Sequence, residues 1–443
     1  MTTDTIYAPA SAVGRAGVSV VRISGPEAAM VLQQLAGTPM PAPRRAVLRQ
    51  LRDPKHDVVL DEGIVLWMPG PRSFTGEDVG ELHLHGGRAV LRAVFEALGD
   101  MGLRLAEPGE FTRRAFEHGK LDLTAAEGLA DLVNAETEAQ RRQALRQLGG
   151  ELGRLYDTWR NRLVESLARL EAHIDFPDEN LPANLMPQIR ERLRELLAEL
   201  AGHLDDRRRG ERLRDGLSVA LLGAPNVGKS SLINHLAQRD VAIVATEAGT
   251  TRDVIEVHLD LAGYPVVVAD TAGLREAGNL VEAEGVRRAL ARAAAADLKI
   301  LMFDAQRYPA LDGDTAGLID QDAIVVLSRC DLAAVPAELL IRGQTAMAVS
   351  VRTGAGMDRL LAALSQAVAE RAGLGDMPAL TRERHRQALV ACRDALFRAL
   401  VADAPELLAE DLRLAVTAIG RITGRVDVED ILDVIFREFC IGK

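Results

Sequence analysis

Residues 223 to 230 read G-A-P-N-V-G-K-S, a complete G-x-x-x-x-G-K-[ST] element. In such a loop Gly223 and Gly228 permit a tight turn, and its backbone N–H groups wrap a β-phosphate at the start of a helix. Lys229 neutralises β- and γ-phosphate oxygens, the Ser230 hydroxyl ligates Mg²⁺, and Asn226, Val227 and Ser231 complete the cradle. The other parts of a nucleotide switch follow in chain order. Gly249, Thr250 and Thr251 have the composition of a switch loop, with Thr251 the natural second Mg²⁺ ligand once a γ-phosphate is bound. Asp270, Thr271, Ala272 and Gly273 form D-x-x-G: Asp270 holds the metal through water and the Gly273 N–H senses the γ-phosphate. The chemistry implied is nucleoside triphosphate hydrolysis.

Base selection is the least regular part of this set. The run Ser328, Arg329, Cys330, Asp331 stands where GTPases usually carry Asn-Lys-x-Asp. Asp331 keeps the carboxylate that accepts from two guanine N–H groups and rejects adenine, whereas the replacement of Asn and Lys predicts reduced base affinity. Ser350, Val351 and Arg352 stand where Ser-Ala-Lys is common, their backbone next to the guanine carbonyl. GTP is the expected substrate.

These residues can cooperate only at the ends of adjacent strands. Apolar runs at Ser218–Leu222, Tyr264–Ala269 and Ala323–Leu327 lead into the phosphate, D-x-x-G and base elements in turn, and residues 216–370 alternate strands with helices. That is the pattern of a Ras-like, doubly wound P-loop domain with its site at the carboxyl ends of parallel strands. Residues 1–118 mix short β-like runs (Val18–Ile23, Gly63–Trp67, Val79–Leu84) with helical stretches, an α+β domain. Residues 119–215 turn helical: Leu152, Leu155, Trp159, Leu163, Leu167, Leu170 and Ile174 recur at steps of three and four. The same texture returns over 371–443, with one stripe through Leu407, Leu408, Leu412, Ala415 and Ile419 and another through Ile431, Val434, Ile435 and Phe439. The expected architecture is multidomain α/β: an N-terminal α+β domain and a discontinuous all-α bundle into which the GTPase domain is inserted.

Composition excludes several classes. No run approaches the roughly 18 apolar residues of a membrane span, and the N-terminus lacks the regions of a signal peptide, so a cytoplasmic protein with no membrane partner is expected. Three cysteines, Cys330, Cys392 and Cys440, have no metal-ligand spacing and suit a reducing compartment. The net charge of −11 gives no general attraction to nucleic acid. Arg141–Arg142 and Arg207–Arg209 are local basic candidates, with solvated helix faces as the plainer reading.

The C-terminal run Phe439, Cys440, Ile441, Gly442, Lys443, together with Gly249–Asp253 (G-T-T-R-D) and Asp270–Arg275 (D-T-A-G-L-R), closely resembles the MnmE (TrmE) family of tRNA-modification GTPases. Further similar segments are Gly17–Gly25, Ser73–Asp78, His85–Gly87, Pro108–Thr112 and Gly119–Leu123, so the likeness covers the whole chain. The resemblance implies a homodimer that works with the flavoprotein MnmG in a heterotetramer. Together they install aminomethyl or carboxymethylaminomethyl groups on C5 of the wobble uridine of certain tRNAs. It also implies a tetrahydrofolate derivative (5-formyl- or methylene-tetrahydrofolate) bound through Arg22, Glu81, Lys120 and Lys443. Glu81 suits a pterin edge and the cations suit carboxylates. Cys440 becomes a candidate participant in the modification chemistry, beside its plainer reading as a free or buried thiol.

For hydrolysis, Leu274 occupies the place of the water-orienting glutamine of Ras-like enzymes. The resemblance points instead to Glu282 as the group that orients water. It also implies K⁺ in place of an arginine finger, held by Asn226, by carbonyls of Ala245 and Glu247, and by the loop carrying Thr250. The nucleotide-contacting loop then extends back through Thr246 and Ala248. Competing readings are a ribosome-assembly GTPase of the Era or Der type, or a regulatory switch. A single phosphate loop and the folate-type residues argue against both.

Overall fold

The computed structural model of this 443-residue chain describes residues 4–12, 14–176, 184–239, 242–243, 256–270, 296–336, 339–373, 378–426, 432, 435–436, 439 and 442. Two compact units are present: Met1–Ala130 with Gln147–Arg169 and Arg413–Lys443, and Asp131–Arg146 with Leu170–Leu412.

The first unit is built on strands β1 (Ile6–Pro9), β2 (Ala16–Ser24), β3 (Val47–Arg52), β4 (Val59–Met68), β5 (Val79–Gly86) and β6 (Arg104–Leu105), in spatial order β3-β4-β5-β2-β1-β6. All neighbours run antiparallel except β1 and β6. The period-two pattern decides the faces. Val21, Ile23, Leu82 and Leu84 point to a core closed by helices Ala28–Ala36 and Arg88–Asp100. Arg22 and Glu81 are then left paired in register on the opposite face.

Helix Glu110–Glu117 carries Arg114, whose side chain is 2% exposed. Its guanidinium reaches Asp4 at 2.8 Å, Glu110 at 3.0 Å and Glu77 at 3.1 Å. Glu77 also accepts from Ser24 at 2.7 Å, which ties the helix to β2. At the other end of the chain Phe436 and Phe439 are buried with Leu123 and Ala126. Beyond them Gly442 lies so close to β1 that a Cβ would stand 2.0 Å from the Pro9 carbonyl oxygen.

The second unit holds strands β7 (Leu217–Gly223), β8 (Glu256–Leu261), β9 (Tyr264–Asp270), β10 (Leu298–Asp304), β11 (Ala323–Ser328), β12 (Leu340–Ile341) and β13 (Gln344–Ala348). They form one sheet in the order β12-β13-β11-β10-β7-β9-β8. The five inner strands are parallel, and β8 and β12 are antiparallel edges. Parallel strands buried on both faces read as continuous apolar runs. Accordingly Leu217, Val219 and Leu221 face helices Lys229–Ala237 and Met357–Ala372, while Ala220 and Leu222 join Leu301, Phe303 and Ala316 on the other side.

Helices Leu185–Leu204 and Glu383–Val401 pack together in the same unit, burying Ile189, Leu193, Leu196 and Leu200 along one and Leu389, Cys392 and Leu396 along the other. Each such fully buried side chain contributes roughly 1.5–3 kcal/mol. The backbone leading into β7 and the backbone leaving the sheet region meet at Gly210, where a Cβ would stand 2.2 Å from the Leu380 carbonyl oxygen. Charged side chains fasten this junction. Arg386 binds Asp206 at 2.7 Å, Glu211 at 2.8 Å and the Leu204 carbonyl at 3.0 Å. Asp131 takes both Arg382 at 2.8 Å and Arg214 at 3.1 Å.

The helix expected over Leu152–Ile174 spans Glu151–Asp175, and the stripe from Leu407 spans Pro405–Thr423. Among the described residues no helix is long and apolar enough to cross a membrane.

Candidate functional site

The loop from Gly223 to Ser230 joins β7 directly to helix Lys229–Ala237. Its path needs left-handed backbone at Asn226 (φ 60°) and Gly228 (φ 104°), which a glycine and an asparagine supply at little cost. At Gly223 a Cβ would come 2.4 Å from the Met302 carbonyl oxygen at the end of β10, so the turn can be this tight only with glycine. Val227 is buried and anchors the loop, whereas Ser230 and Ser231 are exposed at the first turn of the helix. The Lys229 ammonium curls back over the loop and donates to the carbonyls of Gly223 at 2.7 Å and Ala224 at 3.0 Å. An anion in the loop would compete for the same ammonium.

The altered base motif has a structural role. Ser328 ends β11, is 3% exposed, and donates its hydroxyl to the Val227 carbonyl at 2.6 Å with the Phe303 carbonyl at 3.1 Å. Arg329 is left-handed (φ 59°) and extends one Nη to Asp304 at 2.9 Å and the other to the Asn226 carbonyl. Consecutive residues of the base motif thus hold consecutive carbonyls of the phosphate loop. The register makes this possible, because Asp304 and Ser328 are paired at the ends of parallel β10 and β11. A cleft of about 240 Å³ opens beside these tethers, lined in part by Pro225, Asn226, Asp304, Arg307 and Arg329.

Asp331 follows on the same turn, paired with the exposed Arg352 at 3.1 Å. A hydrogen bond from the Ser350 hydroxyl, helped by Arg352, holds the Asp331 carboxyl below the usual carboxylate range. Ser350 is buried, and its backbone bonds Ala355 and Gly354 to form a compact turn that carries Val351 and Arg352. The structure thus brings Asp331 next to Ser350 and Arg352. Burial and the neighbouring Asp331 carboxylate push the Cys330 thiol pKa up, which disfavours its thiolate.

In the first unit Arg22 and Glu81 stand opposite each other on β2 and β5, with Arg22 Nε and Nη2 at 3.0 and 2.9 Å from Glu81 Oε1. His83 approaches the other carboxylate oxygen at 3.4 Å, and the guanidinium lies 5.3 Å from the Phe74 ring centre and 5.9 Å from that of Phe111. A planar guanidinium beside aromatic rings and a half-buried carboxylate make a site suited to a flat heterocycle with an acidic tail. Lys120 is exposed just after helix Glu110–Glu117 and bonds through its backbone to Ala115. Gly442 lies against the Pro9 carbonyl of β1, and Ala8 of the same strand pairs with Arg22.

A domain pattern described as the MnmE helical domain matches residues 123–440, and one described as the GTP-binding protein TrmE N-terminus matches residues 5–120. The tRNA modification GTPase MnmE of Paramagnetospirillum magneticum is 57% identical over 440 residues, 99% of this chain and 100% of that protein. The protein of the same name from Rhodospirillum rubrum is 58% identical over 457 aligned positions, covering all of both chains.

The chain belongs to the MnmE family of tRNA-modification GTPases.

Within that MnmE framework the described residues include Asn226, Val227, Gly228, Lys229, Ser230, Ser231, Ser328, Asp331, Ser350, Val351 and Arg352, together with Arg22, Glu81 and Lys120, and the backbone of Asp270 at the end of β9. Ala245 to Thr251, Thr271 to Gly273, Glu282, Cys440 and Lys443 lie outside them. Asp304 and the tethering use of Arg329 escape a reading of motifs, because residues 226, 304 and 329 are far apart in the chain. The signal available was an acidic residue at the end of the strand next to the base motif. The basic candidates Arg141 and Arg142 both bind Glu138, at 2.8 and 2.7 Å, which is the behaviour of a solvated helix face.

Proposed function

We propose that this chain is a potassium-dependent GTPase that modifies C5 of the wobble uridine of certain tRNAs in the cytoplasm. It acts as a homodimer with the flavoprotein MnmG, using a tetrahydrofolate one-carbon unit. The observation that supports GTP most directly is the Asp331 carboxylate, held by Ser350 and Arg352 beside the turn that Ser328 and Arg329 tether to the phosphate loop. Lys229 and the loop N–H groups take the β- and γ-phosphates, and Ser230 with Thr251 takes Mg²⁺. K⁺, when bound by Asn226, Thr250 and the carbonyls of Ala245 and Glu247, supplies positive charge between the β- and γ-phosphates. Glu282 orients the attacking water.

Arg22 and Glu81 fit a folate: the carboxylate accepts from the donor edge of a pterin, and the guanidinium beside it adds a charged donor to the same site. Lys120 and Lys443 add cationic contacts, and Cys440 is a candidate participant in the modification chemistry. This reading goes with domains at 1–118, 119–215, 216–370 and 371–443.

Hydrolysis of GTP and ATP by the full chain in matched potassium and sodium buffers tests it. Turnover of GTP alone, and strongly faster in potassium, is the expected result. Equal rates in both salts remove the ion site at Asn226, and equal use of ATP removes Asp331 as the base reader.

A further inference from the structure

Guanine presents two hydrogen-bonding edges. N1–H and the 2-amino group are donors on its pairing edge, while N7 and O6 are acceptors on the other. A carboxylate only accepts, so Asp331 can read the first edge and not the second. With Asp331 on the first edge, the side chains nearest in the chain that could donate to N7 are Ser328 and Arg329, at the end of β11.

Both are turned toward the phosphate loop. The Ser328 hydroxyl has a single proton. It is directed at the Val227 carbonyl at 2.6 Å, with the Phe303 carbonyl behind it at 3.1 Å, and the residue is 3% exposed. A carboxamide at this position would have two protons and could serve loop and base together; a hydroxyl cannot. Two of the five N–H donors of Arg329, one on each amino group, go to the Asp304 carboxylate and the Asn226 carbonyl, and these two bonds set where the other three point. Asp304 fixes the plane of the guanidinium and turns it toward the loop.

We propose that the base site of this chain reads guanine through its pairing edge and leaves N7 unread, so that 7-deazaguanine nucleotides bind as tightly as guanine nucleotides. The inference rests on the assignment of Asp331 as the guanine acceptor. Ser328 becomes a positioning residue for the phosphate loop, and the discrimination between bases falls on Asp331 and the Ser350–Arg352 turn.

Displacement of methylanthraniloyl-GDP from the full-length protein in Mg²⁺ buffer, by GDP, 7-deaza-GDP and IDP, tests this. A donor aimed at N7 is left unpaired by 7-deaza-GDP, which costs roughly tenfold in affinity. The expected result is a 7-deaza-GDP affinity within about twofold of GDP, with IDP, which lacks the 2-amino group, weaker by roughly tenfold. A 7-deaza-GDP affinity more than about threefold below that of GDP overturns the proposal and leaves the guanine assignment standing. IDP binding as well as GDP overturns both. Ser328→Ala is expected to weaken GDP and 7-deaza-GDP by one common factor; a loss confined to GDP would place the hydroxyl on N7 and overturn the proposal independently.

Discussion

Replacing Arg329 by alanine tests whether the altered base motif organises the phosphate loop. The substitution removes the pair with Asp304 and the bond to the Asn226 carbonyl. A hydrogen bond from a charged donor contributes about 1.5–3 kcal/mol when sheltered, and a solvent-exposed ion pair about 0–1 kcal/mol. The Arg329 side chain is 39% exposed and Asp304 14%, so the Asp304 arm belongs near the lower figure and the loop arm near the bottom of the higher one. Together they come to about 2 kcal/mol, which is the cost of ordering the loop during binding rather than beforehand. That corresponds to roughly thirtyfold weaker GDP binding. Titration of methylanthraniloyl-GDP measures it, and thermal unfolding checks that the sheet is intact. Arg329→Lys keeps one point charge and is expected to lose about fivefold. Preference for GTP over ATP stays unchanged in both, because Asp331 is not touched. Weakening of less than about threefold in Arg329→Ala would refute the tether, and a collapse of base preference would mean that Arg329 reads the base.

Asp331→Asn exchanges an acceptor for an amide. GTP turnover should fall by about a hundredfold, and xanthosine triphosphate, with a carbonyl in place of the 2-amino group, should gain. Since Ser350 and Arg352 hold the Asp331 carboxyl below its ordinary value, it stays ionised as pH falls, and protonation removes the acceptor only below that lowered value. GTP preference should therefore be flat between about pH 8 and about pH 5; a decline already at about pH 6 would point to another group. Arg386→Met strands Asp206 and Glu211, which are 17% and 10% exposed, and should cost about 3 kcal/mol in urea unfolding, whereas less than about 1 kcal/mol would show that the junction does not depend on it. Burial depresses His203 to about 4. Its folded value lies below its unfolded one, so full stability is present above about pH 6.5 and falls by about 1.4 kcal/mol per unit as pH drops toward about 4, a slope that His203→Gln should remove. Glu81→Gln should weaken 5-formyltetrahydrofolate binding roughly tenfold by calorimetry if its carboxylate accepts from the pterin, and unchanged binding would exclude it.

What could be read without coordinates was what is local in the chain. The loop from Gly223 to Ser230 is contiguous, and its strand and helix announce themselves by apolar runs on either side. Edge strands β8 and β12 give little local signal, because Glu256–Leu261 alternates and Leu340–Ile341 is only a pair of residues; inner strands β10 and β13 carry no motif of their own and are likewise not singled out by the sequence. Relations set by register were invisible for a different reason. Arg114 joins Asp4, Glu77 and Glu110 into one buried network, yet nothing in the spacing of those four residues distinguishes them from surface charges. Likewise Ser328 and Arg329 look like losses when compared with Asn and Lys. Only the paired ends of β10 and β11 reveal that a shorter hydroxyl and a longer guanidinium reach the loop carbonyls. Arg22 and Glu81 stood out through resemblance alone, and the strand register supplies the physical reason that they share one face.

The close approach of Gly210 to Leu380 bears on how such a chain can be taken apart. Two backbone segments separated by a whole folded sheet emerge side by side, so everything between them is a loop whose ends are already closed. Closure entropy grows only with the logarithm of loop length, so a long closed loop and a short one differ little in cost. Excising the segment from Gly216 to Pro378 and rejoining the ends with a few flexible residues should leave the helical pair Leu185–Leu204 and Glu383–Val401 folded, and the excised piece should fold by itself. If both pieces fold, the nucleotide-binding part is a detachable cassette whose chemistry can be exchanged without redesigning the scaffold that receives it.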